Sequence, residues 1–172
     1  MKKIFLLFLS LFAIILTSCS EEDDKYSGSP YTEFKDYATF SANKFAWEEP
    51  SDYTFTYKYS LQAVHLQSPV TVNVKDGVSS FTFPDNFQEE HYEKLASITE
   101  VYECFEKHWN EMKAEKNDSL GIRFSATYGK TDSNLAYPKV LYEDITWVKS
   151  GDAPVGADSG GLRIEITEFK EN

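Results

Sequence analysis

Apolar residues recur along this chain at two spacings, every second position and every third or fourth. From Asp52 to Leu61, Tyr53, Phe55, Tyr57, Tyr59 and Leu61 alternate with Thr54, Thr56, Lys58 and Ser60. That period of two marks a half-buried strand. Pro69 opens a second strand, Val70 to Val74, with Val70, Val72 and Val74 on one side. Lys75-Asp76-Gly77 then predicts a hairpin turn, because Asp and Gly both tolerate positive φ, and Val78 to Phe83 returns. Ile122 to Tyr128, Val140 to Trp147 and Leu162 to Phe169 complete six strands. Ile122, Phe124, Ala126 and Tyr128, and then Leu162, Ile164 and Ile166, point inward.

The longer spacing predicts two helices. Phe34, Tyr37, Phe40, Lys44 and Trp47 place a first helix over Thr32 to Glu48, stopped by Pro50. Ser97 to Lys113 is a second, with Ile98, Val101, Tyr102, Phe105, Trp109 and Met112 as its apolar stripe. Ser97 and Glu100 form a capping box at its start. Asn86 to Leu95 shows only a weak helical tendency, and Lys149 to Gly161 has the Gly, Asp, Ser and Pro of a long loop. The expected fold is α+β: an antiparallel sheet of about six strands with two helices on one face, in the order α-βββ-α-βββ. Phe55 and Phe124, Tyr59 and Tyr128, and Pro69 and Pro138 recur at one constant offset, a faint sign of a duplicated helix-plus-three-strands unit.

The amino-terminal segment follows neither pattern. Lys2 and Lys3 precede an apolar run, Ile4 to Leu16, interrupted only by Ser10. The run falls short of the roughly 20 apolar residues that a membrane span needs and fits the core of a secretory signal. Leu16-Thr17-Ser18-Cys19 resembles the bacterial lipobox, which implies cleavage before Cys19, a thioether-linked diacylglycerol on its sulfur and an acylated (palmitate-type) amino end. More than one acyl chain is what stable anchoring requires. The alternatives are an ordinary cleaved signal or a short uncleaved anchor. The chain thus divides into a signal peptide, 1–18, a lipidated and flexible tether, 19–31, and one domain, 32–172. The acidic run Ser20-Glu21-Glu22-Asp23-Asp24 is similar to the surface-export signal of some Gram-negative lipoproteins. It implies an outer-membrane protein displayed outward, with a periplasm-facing position as the alternative.

Charge and cysteine count narrow the function classes. The formal charge is −11, and removing Lys2 and Lys3 makes it more negative. Such a chain lacks the basic patches that nucleic acid requires. If lipid takes Cys19, Cys104 has no partner for an intrachain disulfide, and 13 Phe, 11 Tyr and 3 Trp must supply the core.

These features together resemble a family of small bacterial lipoproteins of unknown function. The residues that carry the likeness are Trp47, the strand Tyr53-Thr54-Phe55-Thr56-Tyr57, the hairpin Val72-Asn73-Val74-Lys75-Asp76-Gly77, Phe105, Tyr137-Pro138, Asp144, Asp158 and Phe169. They span about Asn43 to Phe169. The resemblance implies fold and anchor rather than activity. Many members carry Cys-x-Cys after the first strand, where this chain has Leu61-Gln62-Ala63, and its final loop is longer than theirs.

Candidate chemistry is sparse. His65, His91 and His108 show no metal-ligand spacing and read as solvated side chains. Cys104 reads as a small buried side chain, because Glu100, Glu103 and Glu106 surround it with acid where a nucleophile needs positive charge. Glu89-Glu90 and Glu143-Asp144 are carboxylate pairs by adjacency alone. The tyrosine face of the first strand reads as core, with an uncovered stacking surface as the alternative. Trp147, Asp152 and Asp158 beside the long loop are the candidate ligand surface. No cofactor or metal is expected. The expected function is a non-enzymatic binding or adaptor module for a protein, peptide or glycan. The alternatives are a small carboxylate-dependent hydrolase and a structural or inhibitor-like envelope protein.

Overall fold

The tyrosine strand lies inside the sheet, with neighbours on both sides that present matching apolar rows. The computed structural model describes residues 30–61, 68–85, 93–115, 119–147 and 160–172, and only the backbone of 147 and 160. Strand β1 is Tyr31–Phe34, helix α1 Tyr37–Ala46, β2 Tyr53–Ser60, β3 Val70–Lys75 and β4 Val78–Thr82. Helix α2 is Ile98–Ala114, followed by β5 Leu120–Lys130, β6 Ala136–Trp147 and β7 Gly160–Glu171. The seven strands form one sheet in the order β1-β5-β6-β7-β2-β3-β4. Each helix is thus followed by a three-stranded meander, and β2 and β7 join the two meanders antiparallel. Tyr53, Phe55 and Tyr57 lie opposite Val74, Val72 and Val70, and all six are buried. The hairpin turn has Asp76 and Gly77 at φ 50° and 73°, as the sequence predicts.

The expected antiparallel sheet of six strands is corrected to a mixed sheet of seven. The first helix does not begin at Thr32. Tyr31–Phe34 is instead an edge strand, parallel to β5. Asp36 at φ 60° breaks the chain between that strand and α1. Phe34 fitted a helical spacing because it packs beside Phe40 from the neighbouring strand, with ring centroids 4.9 Å apart. The edge is held by Tyr31, whose ring covers Gly121 where any Cβ would collide, and by the Arg123–Glu33 ion pair at 2.5 Å.

Two bulges keep the inner rows in phase. Ile166 and Phe169 are three residues apart, which a strict alternation cannot place on one face. An irregularity opposite Thr56 and Tyr57 absorbs Thr167, so that Phe169 pairs with the buried Phe55. A second, opposite Thr127 and Tyr128, accommodates Pro138 inside a strand. The helices meet over the apolar face: Phe40 lies 6.0 Å from Phe105, and Phe105 lies 5.4 Å from Phe124. Lys44 and Tyr37 of α1 both reach Glu106 of α2.

The start of α2 shows what the tyrosine row does besides filling space. Tyr57 Oη donates to Glu93 O at 2.9 Å and accepts from Leu95 N at 3.1 Å. Tyr53 Oη accepts from Ile98 N at 3.3 Å and donates to Glu49. The rings are core, as expected, and their hydroxyls satisfy the backbone leading into the helix. Ser97 caps that helix by accepting from Glu100 N at 3.1 Å. Glu100 reaches back one residue further than a standard capping box, to Ala96 N at 2.6 Å.

Candidate functional site

The site grows from a third bulge, between β6 and β7. Tyr142 pairs with Arg163 and Asp144 with Gly160, so Glu143 alone faces both Gly161 and Leu162. Period two turns Glu143 inward with Leu141, and its residue is 1% exposed. Its Oε2 accepts from Leu162 N at 2.8 Å and meets His108 Nε2 at 2.8 Å. The carboxylate therefore takes the place of a ladder acceptor and also supports the imidazole. Gly161 leaves the room for it: a Cβ there would lie 2.5 Å from Oε2 and 2.7 Å from the carboxyl carbon. The other oxygen, Oε1, is buried with no hydrogen-bond partner among the described residues.

His108 is supplied by α2. It follows Val101 and Phe105 on the apolar face, and its ring lies 6.0 Å from Phe124. Leu162 N can only donate, so Oε2 acts as an acceptor, and the matching arrangement has His108 Nε2–H donate to it as well. Nδ1 makes no hydrogen bond among the described residues. A carboxylate under one nitrogen fixes the orientation of the ring.

That imidazole lines a cleft of 210 Å³ with Cys104, Lys107, Glu111, Glu93, Tyr59 and Leu162 among its walls. A second hollow, of 340 Å³, shares Glu93, Cys104 and Lys107 with it and continues past Glu100 and Glu103. Together they make a groove along α2. Lys107 Nζ stands 3.9 Å from Glu111, and a second cation, Lys94, lines the larger hollow. Burial pushes the Cys104 thiol up to about 11, Glu93 and Glu111 add to the shift, and Lys107 opposes it. Burial, then Cys104 and Glu93, raise Tyr59 in the same direction.

Several expectations change here. His108 is not a solvated side chain but the partner of a buried carboxylate, 21% exposed. Cys104 is partly buried: it packs against the core, near the place expected, and also lines the groove. Glu143 and Asp144 do not form a converging pair, because adjacent strand residues face opposite sides. Trp147 ends β6, and its side chain, with Asp152, Asp158, Cys19, His65, Glu89, Glu90 and His91, lies outside the described residues. Both site residues had a signal in the sequence: Glu143 occupies the inward phase between Leu141 and Ile145, and His108 the phase of Val101, Phe105 and Met112.

Among the described residues no three His, Cys, Asp or Glu side chains are placed to hold a metal ion. No described helix is long and apolar enough to cross a membrane. In comparisons with known proteins, no family model matches the chain, and no curated protein or solved structure is significantly similar to it.

Proposed function

We propose that this chain is a lipid-anchored protein of the cell envelope, held in the outer membrane through Cys19, whose folded domain is a non-enzymatic binding module. The observation that carries the reading is Leu16-Thr17-Ser18-Cys19 at the end of a short apolar run, followed at once by an acidic tether. The tether sets the domain away from the anionic lipid surface, which repels it. That favours a partner met in the aqueous space over one embedded in the bilayer. The likeness to small bacterial lipoproteins in Trp47, the tyrosine strand and Tyr137-Pro138 supports the same assignment.

A hydrolase is the second reading, and the His108–Glu143 pair is what favours it. Against it stands Cys104, the nucleophile-type side chain beside that histidine, whose thiol is pushed up to about 11 and is protonated at neutral pH.

The anchor is tested with the native signal in place, by intact mass of the purified chain and by fractionation of wild type and Cys19→Ala. The expected result is a diacylglyceryl mass on Cys19 and loss of the variant from the membrane fraction. A free Cys19 sulfur, or a membrane-bound variant of unchanged mobility, overturns the reading.

A further inference from the structure

The sheet is open, and its two edges differ. β1 carries Glu33, paired with Arg123, and presses Tyr31 over Gly121. Charge on an edge is a device that proteins use against strand pairing. β4 has no such device: Val78–Thr82 holds no charged residue and no proline, and its register with β3 is unbroken. Val78, Ser80 and Thr82 are exposed, Val78 at 71%, while Ser79 and Phe81 turn inward. There Ser79 Oγ donates to Ala96 O at 2.6 Å and Phe81 packs against the core, so β4 is held from its inner face and its outer edge is left open.

The hairpin register fixes which backbone groups that edge displays. A two-residue turn at Asp76 and Gly77 makes Lys75 and Val78 a hydrogen-bonded pair, and the pairs Asn73–Ser80 and Thr71–Thr82 follow in the same phase. The N–H and C=O groups of Ser79 and Phe81 therefore point away from β3. They have no backbone partner among the described residues. A row of donors and acceptors at strand spacing calls for an extended chain, which a helix or a glycan does not supply. We propose that β4 seats a second copy of this chain, β4 against β4 and antiparallel, with Ser80 on the two-fold axis. In that register Ser79 faces Phe81 of the second copy and Phe81 faces its Ser79, so every one of these groups finds a partner on both sides. Val78 faces Thr82 of the second copy, which covers the exposed valine. The formal charge of −11 makes two copies repel, and an uncharged strip is where they can meet. The contact is isologous, so it closes on a dimer.

Disulfide trapping reads the register. Ser80 meets Ser80 of the second copy, and Val78 meets Thr82, as non-hydrogen-bonded pairs with Cα atoms about 4.5 Å apart. That separation admits a disulfide. The full mature chain in detergent is oxidised with copper phenanthroline and dimers are followed on non-reducing gels, with wild type giving the background from Cys104. Ser80→Cys should crosslink at least tenfold faster than Val78→Cys or Thr82→Cys alone, and a mixture of those two should crosslink as fast as Ser80→Cys. Adding Ser80→Lys to both members of the mixture sets two cations opposite each other and should slow it several-fold. Ser80→Lys in one member and Ser80→Glu in the other should restore it. All are exposed positions, and circular dichroism checks that each variant folds. Three results overturn the proposal: Ser80→Cys no faster than the single controls, the mixture no faster than its members, or a rate indifferent to the charge at position 80. The first would leave the edge to an extended segment of another protein.

Discussion

Glu49 caps a helix that starts 49 residues later in sequence: its Oε2 accepts from Thr99 N at 2.9 Å, at the first turn of α2. The same carboxylate accepts from Ile98 N at 3.3 Å, from Trp47 Nε1 at 3.0 Å and from the hydroxyls of Tyr53 and Thr99. An acid at a helix N-terminus satisfies free N–H groups and complements the dipole. Glu49→Ala should cost about 1–2 kcal/mol, the range of a lost N-cap. Glu49→Gln should cost less, since the amide oxygen still accepts. Urea denaturation of the three proteins checks the order, and an Ala variant as stable as wild type would show that the cap contributes nothing.

The His108–Glu143 pair makes a second prediction through its asymmetry. His108→Leu leaves the buried carboxylate with Leu162 N as its one remaining donor among the described residues, a loss of about 1–3 kcal/mol for an unmet buried acceptor. Replacing both side chains with Leu removes the buried carboxylate and leaves only the neutral Leu162 N–H without its acceptor, a smaller loss than an unmet charged group. The double variant should therefore be more stable than His108→Leu alone, although it carries more changes. Thermal unfolding of the two variants and wild type decides. A double variant less stable than the single one would mean that the carboxylate stabilises the bulge without the imidazole.

Gly161→Ala tests whether the carboxylate needs that residue's empty side. Its Cβ would meet Glu143 at 2.5–2.7 Å, closer than real contacts allow. Overpacking of this kind costs about 1–3 kcal/mol. In a Glu143→Ala background the obstacle is gone, so the same substitution should cost clearly less. Equal costs in the two backgrounds would mean that Gly161 serves the backbone of the bulge rather than the carboxylate.

Much of this fold was legible, and the misses have physical causes. The β2 row, the β3–β4 hairpin and α2 each had one period, and each formed where that period placed it. β1 was missed because Phe34 joins the α1 face through space rather than along a helix. The site was missed for a related reason. Glu143 and His108 each occupy an inward position, but His108 read as solvated and Glu143 only as the chain neighbour of Asp144. A polar residue in phase with an apolar row is the sign of a buried pair, and only the β6–β7 register shows that these two meet. The capping role of Glu49 depends on a contact between segments 49 and 50 residues apart, which no local pattern encodes.

The Cys104 thiol gives a pH dependence with a definite sign. Burial, with Glu93 and Glu111, raises it from 9.0 to about 11 in the folded chain. At neutral pH it is a thiol in both the folded and the unfolded states, and its contribution to stability is fully present. Between about pH 9 and 11 the unfolded chain releases this proton while the folded chain keeps it. The unfolded state then binds fewer protons, so stability falls as pH rises through that window. Cys104→Ala should flatten the fall, and comparing urea midpoints of the two proteins from pH 8 to 11 isolates the contribution of this thiol. Alkylation reports the same ionisation directly, because only the thiolate reacts. Cys104 should react slowly at pH 7.5, and its rate should climb with pH well beyond the value at which an ordinary thiol levels off. A rate that reaches its plateau near pH 9 would show that burial does not hold the Cys104 proton in the folded chain.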